Sequence, residues 1–390
     1  MNSFRLLLPL WLLLTAIAHA DVSVKDRAAL VAALQSAHPG TVIVVAPGKY
    51  AGGLSAASLS GEKGNPIIVR AGDPKQPPVF EGGGSGLHLS GCSYVELHDL
   101  TFTNAAANGV NIDDASVEKA ARGIVLRNLL VTNAGPAGNR DGIKLSGVDD
   151  FMVADCRVER WGNGGSAIDM VGCHDGAVQG CVFEHDPATS MQANGVQTKG
   201  GSSGIVIREC RFIHAGGRGV NIGGSSGTDY FRPANPGYEA RDITVEDCYF
   251  TGSMAPVAFV GVDGAVVRHN TLYRPRKWVV RILQENRAAT LAPCRKGVFS
   301  DNLIVFRSGD VSEAVNTGPG TEPASFTFAR NAWFCEDRPA ESQQRIRLPS
   351  PEKNGSYGTD PKLRDPVAGD LRTASGAVAL SAGVREKAGK

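Results

Sequence analysis

The apolar and polar residues along the chain follow a short repeat. Gly123–Asn133 (GIVLRNLLVTN), Gly204–His214 (GIVIRECRFIH) and Asp242–Gly252 (DITVEDCYFTG) each combine an alternating strand, a polar pair, one special position and a second short strand. Nine such copies begin between residues 94 and 325, about 29 residues apart. Alternation with a period of two predicts strands. A fixed repeat of 20–50 residues without helices predicts a β-solenoid.

A second strand signature, bounded by glycine, lies between these copies. Gly142–Gly147 (GIKLSG), Gly195–Gly200 (GVQTKG) and Gly219–Gly224 (GVNIGG) are three examples. If each repeat is one coil, its strands pair in parallel with those of the next coil, about 4.8 Å away. Inward residues then stack into a core and outward residues form columns. We therefore predict an all-β parallel solenoid of about nine or more coils. Glycine, 48 of 390 residues, suits its sharp corners.

The special position of the repeat, the residue between its two strands, explains four of the eight cysteines. It is occupied in seven successive coils by Cys156, Cys181, Cys210, Cys248, Asn270, Asn302 and Asn331. We interpret it as an inward-facing ladder at a turn, where asparagine bonds the turn backbone and cysteine fills the slot as a small apolar residue. Cys294 and Cys335 lie outside the ladder and could form a disulfide.

The two ends of the chain differ from the repeat. Residues 1–20 place Arg5 before the apolar run Leu6–Ala18 and end in small residues, which is typical of a cleavable signal peptide. We therefore expect a secreted or periplasmic protein with no membrane span. The β-helix domain should cover 21–352, with a short helix within Asp26–Ser36 as its N-terminal cap. Residues 353–390 should form a loop-rich, partly flexible C-terminal cover.

The outward column of the second signature suggests a binding face. Its members are His88, Asn111, Lys144, Asp169, Gln197 and Asn221, with Asp113 and Lys199 beside it and Arg281 farther along. Polar groups spaced one coil apart would offer a groove several sugars long. The alternative is a merely solvated face. The 40 Lys and Arg against 39 Asp and Glu exclude an electrostatic nucleic-acid binder.

An insert between Asn221 and Arg241 lengthens one repeat. Long loops on a rigid scaffold often carry function. Tyr230, Phe231 and Tyr238 could stack on sugar rings, and Arg232 could pair with a uronate carboxylate. The alternative is an aromatic-anchored loop packed on the side of the solenoid.

Two early segments resemble a known family. Pro39–Tyr50 (PGTVIVVAPGKY) and Gly64–Ala71 (GNPIIVRA) resemble the first coils of the chondroitinase B and alginate lyase type of polysaccharide lyases. The general repeat is similar to that family over almost the whole mature chain. The resemblance implies a right-handed parallel β-helix that acts on an acidic polysaccharide. We expect it to be a monomer.

The segment Asn194–Lys199 (NGVQTK) also resembles the active strand of that family. The resemblance implies that Lys199 is the catalytic base. It further implies a calcium ion near Asn163, Gln192 and Asn194, although amides without charge should bind calcium more weakly. Arg218 lies near the position of the family's arginine.

These residues suit β-elimination from a uronate polymer. That reaction needs a base at C5 and a cation that neutralises the adjacent carboxylate. Lys199 is the candidate base, and Arg218, Arg232 and Arg281 are candidate cations, with Lys144 on the same face. The alternatives are a glycoside hydrolase using Asp141, Asp169 and Asp113 or Asp114, a C5-epimerase, or a non-catalytic glycan-binding protein.

Overall fold

The computed structural model describes residues 21–116, 119–187, 192–374 and 381–385. The predicted signal peptide therefore lies outside the described residues. Within them the chain winds through three parallel sheets in turn, which we call sheets 1, 2 and 3 in the order in which each coil visits them. This arrangement confirms the predicted parallel β-solenoid.

The strands have the following bounds. Those of sheet 1 are Val22–Val24, Val42–Val45, Ile67–Ala71, Val95–His98, Ala121–Arg122, Val125–Arg127, Val148–Ala154, His174–Gln179, Ser202–Arg208, Ala240–Glu246, Asp263–Arg268, Arg295–Ser300, Thr327–Ala329 and Glu352–Lys353. Those of sheet 2 are Lys49–Ala51, Val79–Glu81, Thr101–Thr103, Leu130–Ala134, Arg157–Trp161, Val182–Glu184, Arg211–Ile213, Tyr249–Thr251, Thr271–Tyr273, Leu303–Phe306, Ala332–Cys335 and Ser356–Tyr357. Those of sheet 3 are Leu54–Ala57, Leu87–Ser90, Val110–Asp113, Ile143–Ser146, Ser166–Val171, Asn194–Lys199, Arg218–Gly223, Ala255–Val260, Trp278–Leu283 and Glu313–Thr317.

One continuous core fills the space between the three sheets. Inward residues of sheet 2 stack along the axis, and Phe183, Phe212 and Phe250 illustrate this with ring centroids 5.0 and 4.5 Å apart. The in-register parallel pairing is the cause, because it places equivalent side chains of successive coils one above the other. The same inward positions therefore form the core in each successive coil.

The predicted cysteine and asparagine ladder lies inside the turn from sheet 1 to sheet 2. The Cys210 thiol donates to the carbonyl of Arg208 in its own turn, at 3.1 Å. The Asn302 side chain forms hydrogen bonds to neighbouring coils. Its amide nitrogen donates to Val267 O and its oxygen accepts from the Asn270 N–H, each at 3.0 Å. All seven ladder residues are buried, which confirms the structural interpretation.

Different residue types occupy the left-handed positions at two corners of the coil. At the exit of sheet 3, Gly172 and Gly200 adopt φ values of 60° and 65°, as expected for sharp corners. In the turn before the ladder, polar residues such as Asp155 and Asp247 take left-handed conformations at 56° and 53° instead. Short polar side chains tolerate this region better than most residues do.

The structure contradicts the disulfide considered for Cys294 and Cys335. All eight cysteines are buried, free thiols. Cys294 directly precedes the sheet 1 strand Arg295–Ser300, whereas Cys335 ends the sheet 2 strand Ala332–Cys335. The two residues therefore lie at different corners of the solenoid, and a disulfide needs Cα atoms within about 7 Å.

The N-terminal end is capped as predicted. The helix α1 spans Arg27–Gln35, and Asp26 caps it by accepting a hydrogen bond from the Ala29 N–H at 2.8 Å. Leu30 and Leu34 of α1 are buried with the first coils. No helix among the described residues combines the length and the apolar character needed to cross a bilayer.

The C-terminal part includes an antiparallel hairpin, Leu363–Asp365 with Asp370–Thr373. Leu371 of this hairpin is buried against Tyr273, Leu303 and Phe334 on the outer face of sheet 2. The parallel pairing itself continues as far as Ser356–Tyr357. The described residues also include three short 3₁₀ turns, Thr228–Tyr230, Pro323–Ser325 and Pro339–Glu341.

The ladder predicts a large effect from one buried amide. Asn302→Ala should reduce the free energy of unfolding by about 2–4 kcal/mol, because it leaves buried partners on two neighbouring coils without hydrogen bonds. Chemical denaturation would measure the loss. The control Gln344→Ala removes an exposed amide and should change stability by less than about 0.5 kcal/mol. Equal effects of the two substitutions would contradict the role of the ladder.

Candidate functional site

The outward positions of sheet 3 form the column predicted from the sequence. Successive Cα partners along it are His88, Asn111, Lys144, Asp169, Gln197, Asn221, Ala258, Arg281 and Asn316. Strand alternation is the cause. Ile168 and Met170 point into the core, so Asp169 between them points outward.

The centre of this column is a cluster of two lysines around one carboxylate. Lys144 Nζ lies 2.5 Å from Asp169 Oδ2, and Lys199 Nζ lies 3.2 Å from Asp169 Oδ1. Asp169 is only 1% exposed, whereas the lysine side chains are 26% and 17% exposed. The ammonium groups therefore form the accessible surface, and the carboxylate lies beneath them.

Asp141 adds a second carboxylate under the lysines. Its Oδ2 lies 3.4 Å from Lys144 Nζ, and its Oδ1 accepts a hydrogen bond from the Ser166 N–H at 2.8 Å. Burial, assisted by the negative charge of Asp169, raises the pKa of Asp141 to about 6. Burial by itself would lower the pKa of Lys144, but Asp169 and Asp141 outweigh it and raise that pKa. Lys144 thus remains a cation at neutral pH.

An open groove of about 1240 Å³ runs over this cluster. Lys144 and Lys199 contribute to its floor, together with Asp113. The insert, residues 225–234, forms a wall, and Tyr230 on its short 3₁₀ turn is 72% exposed. An extended polar chain could lie in this groove against both lysines.

Glu239 fixes the insert to the lysine strand. Its buried carboxylate accepts hydrogen bonds from the Gly200 N–H at 2.9 Å, from both the N–H and the hydroxyl of Ser226 at 2.8 Å, and from the Asn286 amide at 2.6 Å. Gly200 directly follows Lys199, and Ser226 lies at the base of the insert. One carboxylate thus joins the floor of the groove to its wall.

Arg232 anchors the far side of the insert. Its guanidinium pairs with Asp149 and donates to the carbonyl of Gly172 at 2.9 Å. His174 Nδ1 lies 3.0 Å from the same Asp149 carboxylate. Tyr238 is buried, and the Arg241 guanidinium lies over its ring, with Cζ 4.6 Å from the ring centroid. In this structure Arg232 and Tyr238 hold the loop, while Tyr230 faces the groove.

The first coils present a bonded acidic group. Asp113 accepts hydrogen bonds from Ser90 Oγ at 2.6 Å and from Asn111 Nδ2 at 3.3 Å, and His88 Nε2 lies 2.6 Å away. Burial alone would raise the pKa of Asp113, but hydrogen bonds from Ser90, His88 and the Ala115 N–H outweigh it and hold the pKa below its usual value. Asp113 is therefore an ionised, fully engaged carboxylate.

The predicted arginines lie beyond the lysines along the same sheet. Arg218 Nη1 donates to Asn221 Oδ1 at 3.0 Å, and its guanidinium pairs with Glu285. Arg281 Nε donates to Asn316 Oδ1 at 3.1 Å, and its guanidinium lies 4.3 Å from the Trp278 ring centroid. Both arginines share the face of Lys199, but each already has partners within the chain.

The residues expected to hold calcium do not fit that ion. Asn163 is exposed, and its oxygen accepts a hydrogen bond from the Gly138 N–H at 3.0 Å. Gln192 is exposed, and Asn194 Nδ2 donates to Gln197 Oε1 at 3.3 Å. The set lacks the carboxylates on which calcium affinity depends. Across the described ranges, no group of three His, Cys, Asp or Glu side chains could hold a metal.

Sequence reasoning missed three roles. Asp141 was considered only as a hydrolase carboxylate, although its position three residues before Lys144 could have suggested the ion pair. Glu239 and Glu285 carried no signal, because their partners are 39 and 67 residues away in the sequence. Contacts between loops of different coils follow no repeat.

The raised pKa of Asp141 predicts a pH-dependent contribution to stability. The ordinary value is 3.8, so between pH 4 and 6 the folded state holds a proton that the unfolded chain releases. This contribution is fully present below about pH 4 and is lost as the pH rises through about 6. Asp141→Asn removes it. The difference in unfolding free energy, wild type minus variant, should fall between pH 4 and 6 in urea titrations. A flat difference would contradict the shift.

Comparisons with known proteins agree with the fold. A family model described as a right handed beta helix region matches residues 85–272, and the chondroitinase B model matches residues 24–126. No curated protein sequence matches the chain significantly.

Several solved structures share the fold. The A-module of the Azotobacter vinelandii mannuronan C-5 epimerase AlgE4 aligns with a TM-score of 0.54 and 14% identity, over 87% of this chain and 98% of its own. An alginate lyase from Paenibacillus sp. str. FPU-7 aligns at 0.52 and 17%, over 77% and 96%. A PL6 family polysaccharide lyase from Pseudopedobacter saltans aligns at 0.51 and 13%, over 94% and 100%. The chain is a right-handed parallel β-helix protein that resembles the chondroitinase B and alginate lyase type of polysaccharide lyases.

Proposed function

We propose that this protein is a lyase that cleaves an acidic, uronate-containing polysaccharide by β-elimination. The observation that carries the proposal is the pair Lys144 and Lys199 on the floor of an open groove, both held by the buried Asp169. Two ammonium groups facing a groove suit a substrate with regularly spaced carboxylates.

The comparisons support the same substrate class. The chondroitinase B model matches the first coils, and fold neighbours include an alginate lyase and a mannuronan epimerase. At identities of 14–17% these neighbours establish a shared fold. The reaction is therefore inferred from the residues of this chain.

Lys199 and Lys144 suit the two roles that β-elimination requires. Lys199 Nζ first gives up its own proton to solvent and then accepts the proton from C5, while the C5–H electron pair forms the C4–C5 double bond and the C4–O bond breaks. The proton that Lys199 takes can then pass to the leaving oxygen, which balances the step. Lys144 stays protonated because Asp169 and Asp141 raise its pKa, so it neutralises the carboxylate next to C5.

The carboxylates of the cluster are poorly placed for glycoside hydrolysis. A hydrolase needs an acid and a second carboxylate that both reach the scissile bond. Asp141 and Asp169 are 2% and 1% exposed and lie under Lys144, so the substrate would meet the lysine first. Asp113, which does line the groove, is occupied by Ser90 and His88.

A C5-epimerase is a second candidate, favoured by the position of Tyr230. Epimerisation begins with the same removal of the C5 proton and ends with a proton added to the opposite face of C5. Tyr230 stands on the insert wall of the groove whose floor carries Lys199. A phenol there could supply that second proton.

We further propose that the protein is exported to the periplasm or the medium through residues 1–20 and acts as a monomer. An acidic polysaccharide is its partner. No step of the proposed reaction uses a metal.

Absorbance tests the lyase proposal directly. The purified protein should raise the absorbance near ~230 nm with alginate, pectate or chondroitin, because elimination creates a double bond conjugated to the carboxylate. Lys199→Ala should lower kcat by about 10²–10⁴, the range typical of a lost general base. The control Lys296→Ala removes a lysine paired with Asp263 on sheet 1 and should leave kcat unchanged.

Other products would identify the alternatives. New reducing ends without absorbance would indicate hydrolysis. Deuterium incorporation at C5 from heavy water, without chain cleavage, would indicate epimerisation. Binding without any reaction would indicate a glycan-binding protein, and undiminished activity of Lys199→Ala would show that the base is another residue.

Metal removal should leave the activity intact. The amides of Asn163, Gln192 and Asn194 lack the charge that calcium sites require, so treatment with a chelator should change kcat/KM by less than about twofold. The assay compares chelated protein with protein supplied with millimolar calcium. A large loss that calcium restores would contradict this expectation.

A further inference from the structure

Beyond the lysines, the column of sheet 3 is interrupted by a small residue. Ala258 has the register of the outward column, between Asn221 and Arg281, yet it is completely buried. Ala258 packs in a small apolar cluster on this face. The Arg218–Glu285 ion pair spans the same place, because Arg218 belongs to the preceding coil and Glu285 follows the strand of the next coil. The Arg218–Glu285 pair therefore bridges the gap that Ala258 leaves in the polar column.

The pair has the geometry of carboxylate recognition. Arg218 Nη1 lies 3.3 Å from Glu285 Oε2, and Nη2 pairs with Oε1, so each terminal nitrogen contacts one carboxylate oxygen. Asn221 Oδ1 accepts from the same Nη1 at 3.0 Å and orients the guanidinium. Arginine commonly recognises carboxylates through such bidentate pairs.

The surroundings of the pair are rich in positive charge. Arg281 lies close enough that, after burial, the charge of Arg218 is the main cause lowering the pKa of Arg281. Lys277 directly precedes the strand that carries Arg281, and its Nζ lies 4.4 Å from the Trp278 ring centroid. The negative charges of Glu285 and Glu313 oppose this effect on Arg281. Glu313 accepts a hydrogen bond from Trp278 Nε1 at 3.1 Å. Without Glu285, Arg218 and Arg281 would face one another with little compensation.

The two partners differ in how firmly they are held. The Arg218 side chain is 17% exposed and is oriented by Asn221, whereas the Glu285 side chain is 37% exposed and lies in a loop. A partly exposed ion pair contributes little net stability, so the Glu285 carboxylate can separate from Arg218 and be solvated by water at low cost. The arginine stays in place while the glutamate can leave.

We propose that Glu285 is a built-in competitor for the substrate: its carboxylate occupies a uronate-carboxylate subsite formed by Arg218 and Asn221, and the polysaccharide binds there by displacing it. This inference rests on the proposed function for the identity of the substrate. The strand Arg218–Gly223 pairs directly with the strand that carries Lys199, so the subsite lies one coil beyond the candidate base.

Binding measurements with uronate oligosaccharides test the competitor. The variants are made in a Lys199→Ala background to prevent turnover, and isothermal titration uses oligomers of alginate, pectate and chondroitin. Glu285→Gln keeps the size of the side chain and removes its charge. It should lower Kd about two- to tenfold at low salt, the range expected for release of one exposed ion pair. The gain should shrink at high salt and be absent with neutral oligosaccharides.

Two further variants isolate the cause. Glu341→Gln removes an equally charged residue that pairs with Arg338 and Arg345 far along the chain, and it should leave Kd unchanged. Adding Arg218→Gln to Glu285→Gln should abolish the gain, because the subsite itself is lost. A gain that survives Arg218→Gln, or Glu285→Gln binding no tighter than its parent, would overturn the proposal.

The outcome separates this inference from the proposed function. If the wild type cleaves a uronate polymer and Glu285→Gln leaves KM unchanged, the competitor is wrong and the lyase stands. If Glu285→Gln binds tighter but no polymer is cleaved, the subsite stands and the lyase is wrong. If no variant binds or cleaves any uronate polymer, both are overturned.

Discussion

The parallel, in-register stacking of the coils is the constraint on which the rest of this molecule depends. Each strand is bonded to its equivalent in the next coil, so whatever occupies a position in one coil lies about 4.8 Å from its counterpart in the next. The stacked Phe212 and Phe250 rings and the Asn270–Asn302 bonds follow from this rule inside the solenoid. The same rule brings Lys144, Asp169 and Gln197 together outside it.

Asp169 turns this column into a site. A carboxylate that is 1% exposed must have its charge compensated, and Lys144 and Lys199 compensate it from two adjacent coils. Both lysines line the groove above this carboxylate. A buried negative charge thus organises an exposed positive surface, which suits a polyanionic substrate.

The loops complete what the coils begin. Glu239 bonds Gly200 to the base of the insert, and Arg232 ties the insert to Asp149 on sheet 1, so the groove has a fixed wall beside a fixed floor. Glu285 reaches back to Arg218 from a different loop. Glu239 and Glu285 each join segments of different coils, and these contacts, unlike those of the repeat, do not recur along the described part of the solenoid.

The sequence by itself determined the fold, the ladder and the members of the outward column, because a strand period of two and a fixed coil length leave only one register for residues such as Lys144 and Asp169. It could not determine whether Cys294 meets Cys335, which depends on the corner that each occupies. Nor could it reveal that Arg232 turns toward Asp149, that Glu239 joins floor and wall, or that Glu285 reaches Arg218. Only the tertiary structure decided these contacts, because loops obey no period and their partners are fixed by how the chain folds back over itself.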